Sequence, residues 1–136
     1  MIEQRKKLRE HFKKEGFYEL DDAQLTSIDK KFLKKVTEII NKHLSDTAFS
    51  VELLAEEISM SRRNLARKLT AMTGDSTGEL IRRIRLTHAS KLIKENTGNI
   101  SEIALEVGFS NPAYFSKCFK EQFGFTPSEY YYNNSK

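Results

Sequence analysis

The chain has 136 residues with 23 Lys and Arg against 19 Asp and Glu, a formal charge of +4, and 38% hydrophobic residues, the profile of one small globular domain or two very small ones. Its longest apolar runs are two to three residues, far short of the roughly 20 that span a bilayer, so no integral membrane role or membrane contact is expected. The one cysteine, Cys118, cannot form an internal disulfide, and Met1 leads straight into a charged run from Glu3 to Glu10 that does not resemble a cleavable signal, so a reducing, cytoplasmic setting is expected.

Two prolines and six glycines leave long uninterrupted stretches for helix, and apolar residues recur at helical spacing with no strand-like alternation, which predicts an all-α protein. Residues 1–25 read as a charged arm of linker composition, with Leu8 and Phe12 as its best helical pair and Gly16 as an interruption. The domain is placed at 28–136, after an arm over 1–27. Phe32, Val36, Ile40 and Leu44 predict a helix over 29–44. Leu54 and Ile58 predict one over 51–58, and Leu65, Leu69 and Met72 one over 62–73 that stops at Gly74. Ser76-x-x-Glu79 starts a long helix over 77–95 with Gly98 beyond it, and Asn99-x-x-Glu102 starts another over 100–107. The sixth covers 112–123 and stops at Gly124; the seventh covers 127–132, opened by Thr126-x-x-Glu129 with Pro127 at the first helical position.

Charge is uneven along these elements. Residues 36–59 carry 1 basic and 5 acidic groups, whereas 60–95 carry 9 and 3. A local excess of +6 beside an acidic stretch fits a surface that faces a polyanion.

The segments Val51 to Leu69 and Ile100 to Phe119 repeat one pattern. Leu54-Ala55 matches Ile103-Ala104, Ile58 matches Val107, Met60 matches Phe109, Ser61 matches Ser110, Leu65 matches Phe115 and Leu69 matches Phe119. The offset grows from 49 to 50 residues, so the second copy has one extra residue after its turn. Each copy reads as a helix-turn-helix: a short helix with a small Ala at a close crossing, a tight turn at Ser59 or Gly108, and a longer second helix. Gly108 suits a positive φ better than Ser59 does. Ser61, and either Ser110 or Asn111, stand where they can cap the second helices.

The second copy, I-S-E-I-A-L-E-V-G-F-S-N-P-A-Y-F-S-K-C-F-K-E-Q-F-G-F-T-P-S-E-Y over Ile100 to Tyr130, is close to the signature of the AraC/XylS family of bacterial transcription regulators. The first copy, L-A-E-E-I-S-M-S-R-R-N-L-A-R-K-L, agrees with it, and the resemblance to that family's DNA-binding domain runs from about Ile28 to Tyr132. Ser59 stands where the family often has Gly, and Thr77-Gly78 follows Asp75-Ser76 where a Pro is common. The arm E-Q-R-K-K-L-R-E-H-F and the stretch S-I-D-K-K-F-L-K-K-V resemble the junction between receiver and AraC-type output domain in hybrid two-component regulators of Bacteroidetes. The resemblance implies double-stranded operator DNA as partner, RNA polymerase as a further one, and dimerisation through regions outside this chain.

If Leu65 and Leu69 face the core, Arg63, Ala66 and Arg67 fall on the outward side of the first recognition helix and are assigned to base edges. Ser61, Arg62, Asn64 and Lys68 are assigned to phosphates, which set register. No acidic residue lies between Ser59 and Thr73 to pair with these arginines. On the second recognition helix Phe115 and Phe119 turn inward, leaving Asn111, Ala113, Ser116, Lys117 and Lys120 outward; by resemblance Ser116 and Lys117 take the places of Ala66 and Arg67, so with Ala113 they are assigned to bases, and Ser110, Asn111 and Lys120 to phosphates. Tyr114 reads as half-packed between the motifs. The intervening helix, about 28 Å long at 1.5 Å per residue, would act as a rigid ruler between successive major-groove segments that recur every roughly 34 Å. Its Arg82, Arg83 and Arg85 would add attraction for DNA.

No catalytic constellation is seen: His11, His43 and His88 are far apart, and none has a Cys or His at metal-ligand spacing. No cofactor is implied. Cys118, between Phe115 and Phe119, reads as a buried small thiol. The rival function is a helical protein-interaction module that binds an acidic partner through 60–95; RNA binding lacks exposed aromatic platforms.

Overall fold

The computed structural model describes residues 27–95 and 98–134; the charged arm expected over 1–25 lies outside them. Among the described residues the chain forms seven helices and no strand: α1 (Ser27–Lys42), α2 (Val51–Glu57), α3 (Arg62–Thr73), α4 (Thr77–Glu95), α5 (Ile100–Glu106), α6 (Pro112–Phe123) and α7 (Pro127–Asn134). The start signals do what their chemistry requires. Ser76 N–H donates to Glu79 Oε1 at 3.0 Å while Glu79 N–H donates to Ser76 Oγ at 3.2 Å, and Thr126 and Glu129 repeat the exchange at 2.9 and 3.2 Å, two complete capping boxes. At Asn99 the Glu102 carboxylate accepts from the side-chain amide at 2.7 Å, while Glu102 N–H donates to Asn99 Oδ1 at 2.8 Å. Gly74 and Gly124 close α3 and α6, their N–H groups donating to Thr70 O and Lys120 O. Gly98, read as a third stop, follows residues 96 and 97, which lie outside the described set.

Apolar side chains collect in two clusters. The first joins Leu33, Val36 and Ile40 of α1 to Leu54, Leu65 and Leu69 of the first motif, and the second joins Ile103, Val107, Phe115 and Phe119 of the second motif to Tyr130 of α7. Cys118 is 4% exposed within the second. Both clusters are completed by α4, which gives Leu80, Ile81 and Ile84 to the first and Leu86, Ala89 and Ile93 to the second. Ten of its 19 residues are buried, so α4 is the shared spine of two small cores. The long linker helix expected between the two motifs is present, and its apolar faces embed it between the two clusters.

The seam between the clusters falls at Arg85, itself 9% exposed. Its Nη1 donates to Gly108 O at 2.9 Å and its Nη2 to Asp46 O at 3.0 Å. Burial pushes this guanidinium below its usual pKa, and Asp46 partly opposes the shift; it stays charged at neutral pH because an arginine starts so high.

The two turns are built alike. Ser59 N–H donates to Glu56 O at 3.1 Å and Met60 N–H to Ala55 O at 3.0 Å; in the second copy Gly108 donates to Leu105 O at 3.0 Å and Phe109 to Ala104 O at 2.8 Å. These are the paired bonds of a Schellman closure, which needs a left-handed residue at its first outside position. Ser59 has φ 59° and Gly108 φ 93°. A serine there carries a steric cost of roughly 1–2 kcal/mol that glycine lacks, offset in part by the greater unfolded-state freedom of glycine. Ser59→Gly is therefore expected to stabilise the domain by about 0.5–1 kcal/mol, read as a higher urea midpoint at unchanged m value. A lower midpoint would show that the Ser59 side chain contributes more than its backbone strain removes.

Candidate nucleic-acid interface

Recognition helix α3 begins at Ser61, whose Oγ accepts from Asn64 N–H at 3.1 Å. Leu65 and Leu69 are fully buried, while Arg63 and Arg67 are exposed on the opposite side with Ala66 half-buried between them, the outward stripe expected from helical spacing. Arg62 and Asn64 are exposed as well. Arg62 nonetheless has an acidic partner: its Nη1 lies 3.0 Å from Glu52 Oε1. The expectation that the arginines face no carboxylate is corrected here, because the partner comes from the acidic α2 and not from α3. The Glu52 carboxyl is held below the usual carboxylate range by a backbone hydrogen bond first, then by Ser50 and Arg62. Both partners are well exposed, so solvent and salt screen the pair and Arg62 can exchange it for another anion. Lys68 separates from the group: its ammonium lies 4.3 Å from the centroid of the Phe32 ring on α1.

Recognition helix α6 is capped by Asn111, whose Oδ1 accepts from Tyr114 N–H at 3.1 Å, with Pro112 at the first helical position. Of the two residues read as alternative caps, Asn111 holds the position. The match of Ser61 with Ser110 is thereby corrected: Asn111 is the structural counterpart of Ser61, and Ser110 is the extra residue that shifts the second copy from an offset of 49 to 50. Phe115 and Phe119 are fully buried; Ala113, Lys117 and Lys120 are exposed and Ser116 is half-buried. Tyr114 is 47% exposed, with its ring centroid 6.1 Å from that of Phe109 and its hydroxyl accepting from Arg82 Nη1 at 3.4 Å. It is half-packed and touches the spine helix.

Three arginines on α4 part company. Arg83 Nε lies 3.2 Å from Asp75 Oδ2, a carboxylate on a residue 1% exposed, and Arg85 is committed to the seam. Their expected role as surface attraction for DNA is thereby corrected, since both charges are spent inside the fold. Arg82 opens onto a cleft of about 430 Å³ between the motifs, and the buried Arg85 lines its floor, whereas Arg83 does not reach it. Glu52 and Arg62 line this cleft from the first motif, Ser110 and Asn111 from the second, and Gly78 and Arg82 from α4. An adjoining hollow shares Val51, Arg62 and Gly78 and reaches Arg63 and Ala66. Sequence reasoning missed the cleft; its available signal was a glycine inside the first turn of a long helix, where helix propensity disfavours it. Among the described residues no group of His, Cys, Asp and Glu could hold a metal ion, and no helix is long and apolar enough to cross a membrane.

Two matched turns, two capped second helices and a buried spine define a double helix-turn-helix domain. A family profile described as "Helix-turn-helix domain" matches residues 54–132, well over half of the chain, and the chain belongs to this AraC/XylS-type family. Membership makes it a DNA-binding domain of transcription regulation. The chain is similar to Histidine kinase P4 of Formosa agariphila, 36% identical over 130 residues that make up 96% of this chain and 10% of that protein. It thus spans about a tenth of that relative's length. Among solved structures it resembles the C-terminal domain of AraT, a response regulator from Geobacillus stearothermophilus, with 30% identity and TM-score 0.69 over 81% of this chain and 88% of that one. It also resembles the DNA-binding domain of AdpA, a global transcriptional factor, solved in complex with a target DNA, with 29% identity and TM-score 0.68 over 74% and 90%.

Proposed function

We propose that the chain reads a double-stranded operator with α3 and α6 in successive major-groove segments, as the output domain of a hybrid two-component regulator. The observation that carries this reading is the pair of recognition helices, presented by the same closed turn and each with a polar or cationic stripe opposite two fully buried core residues. Arg63, Ala66 and Arg67 face bases in one segment, where an Arg fork can hold guanine O6 and N7 and the Ala66 methyl suits a thymine methyl. Ala113, Ser116 and Lys117 face bases in the other. Ser61, Arg62, Asn64, Ser110, Asn111 and Lys120 hold phosphates; Lys68 is left out of the set because its ammonium is engaged over Phe32. The likeness to a DNA-bound domain and to a response-regulator output domain supports both halves of the proposal. Dimerisation through other regions of a longer protein and contact with RNA polymerase, in the cytoplasm, complete it.

A selection from random duplexes, followed by binding titrations at several salt concentrations, tests the reading. A steep linear fall of log K with log salt is expected, and a shallow dependence would favour a protein partner instead. Arg67→Ala is expected to lower affinity for the selected site by about 1–3 kcal/mol and relax preference at one base pair, whereas Arg62→Ala weakens selected and scrambled duplexes alike. Equal losses on both duplexes for Arg67→Ala would reject its base-reading role.

A further inference from the structure

We infer that the cleft between the two recognition helices is a seat for the sugar-phosphate backbone bordering the minor groove between the two major-groove segments, kept open by the bare backbone of Gly78. The inference rests on the DNA-binding reading above and adds a site to it. The cleft and its adjoining hollow share Arg62 and Gly78 and form one trough from Ala66 on α3 to Asn111 at the head of α6. Successive major-groove segments on one face of a duplex are separated by the minor groove and the two phosphate strands that wall it, so a duplex held by both α3 and α6 carries sugar-phosphate backbone over the ground between them.

The lining suits that occupant. Arg62 and Arg82 face the trough, and Arg82 Nη1 donates to the Tyr114 hydroxyl across a long 3.4 Å. Two residues of the lining each carry a buried polar atom that lacks a hydrogen-bond partner among the described residues: Thr77 Oγ1, on a residue 3% exposed in the hollow, and Arg85 Nε, on a residue 9% exposed in the cleft. Such atoms call for a polar occupant or water. Gly78 lies in the first turn of α4, and a β-carbon there would meet nothing within 4 Å. Neither packing nor a left-handed backbone therefore requires the glycine. A bare backbone at this position lets a phosphate come close to the first turn of the helix. Glu52 is the acidic group in the cleft, and it sits on Arg62; an arriving phosphate takes its place.

The test measures anisotropy of the full chain on its selected duplex and on a scrambled one over a range of salt, together with thermal melts. Gly78→Leu should melt no lower than the parent, since leucine favours helix and meets open space, yet bind both duplexes about tenfold more weakly. Arg82→Gln should reduce the salt slope by about 0.9, the loss of one phosphate, with base preference unchanged. Gly78→Leu binding with parental affinity, or losing affinity only at particular base pairs, would overturn the seat and leave the trough to a soluble ligand or to water. The failure of the underlying reading looks different: the parent chain itself would then show no steeply salt-dependent binding. A parent that binds, an Arg67→Ala that loses preference and a Gly78→Leu that loses nothing would remove the seat alone.

Discussion

Gly108→Ala is expected to destabilise the domain by about 3–5 kcal/mol, far more than any change at the equivalent Ser59. The left-handed backbone at φ 93° contributes first, at roughly 1–2 kcal/mol for any residue with a β-carbon. Space contributes the rest. A β-carbon at 108 would lie 2.5 Å from Leu44 O and 2.7 Å from Arg85 Cζ, so either the loop after α1 or the guanidinium must move. Moving the guanidinium weakens its bonds to Gly108 O and Asp46 O, which as charge-assisted bonds are worth about 1.5–3 kcal/mol each. Ser59 holds the same turn at an exposed position, and the chain tolerates a side chain there. Urea denaturation of Gly108→Ala beside Ser59→Ala checks the contrast. A Gly108→Ala midpoint shift as small as that of Ser59→Ala would mean that backbone conformation alone selects glycine in the second turn.

That contrast also shows why some of the molecule was legible in the sequence and some was not. The repeat could be found because Leu54, Ala55, Ile58, Leu65 and Leu69 and their counterparts are apolar or small for one reason, the packing of a closed helical hairpin, and periodicity reports packing directly. The caps were legible because Ser76, Glu79, Thr126 and Glu129 act within one turn of helix. What failed depends on contacts between distant residues. Arg62 found its carboxylate on α2, ten residues back, and Arg85 reached carbonyls 23 and 39 residues away. A charged residue on a helix reads as solvent-facing by composition, and spacing carries no signal that a second core will close over it. The cleft was missed for a related reason: it is made of what Gly78 lacks. The outward stripes of α3 and α6 were found by subtracting the core positions.

The second large effect is expected at Arg85→Met, at about 2–4 kcal/mol of stability. Methionine replaces the aliphatic stem and keeps the seam between the two clusters filled, so the loss isolates the guanidinium. Two carbonyls, Gly108 O and Asp46 O, would lose their donors. The Gly108 bond is buried and the Asp46 bond only partly so, so leaving the first acceptor unmade costs about 1–3 kcal/mol and the second less, and relief from burying a charge returns part of it. Arg85→Lys should rescue little, because a single ammonium cannot reach both carbonyls as a planar fork does. The consequence for function follows from where the carbonyls sit. Asp46 belongs to the segment that leads from α1 into the first motif, and Gly108 is the turn of the second, so Arg85 ties the approach to one recognition helix to the presentation of the other. At a temperature where Arg85→Met is still folded, its affinity for the selected site should therefore fall more than its affinity for a scrambled duplex, since phosphate contacts survive a loosened angle and paired base contacts do not. A double-mutant cycle gives the sharpest reading. Because Gly108→Ala acts largely by displacing the same guanidinium, the two substitutions together should cost less than the sum of their separate effects by about 1–3 kcal/mol. Additive losses, with an unchanged ratio of specific to scrambled binding, would show that the apolar spine of α4 sets the angle between the motifs without the buried arginine.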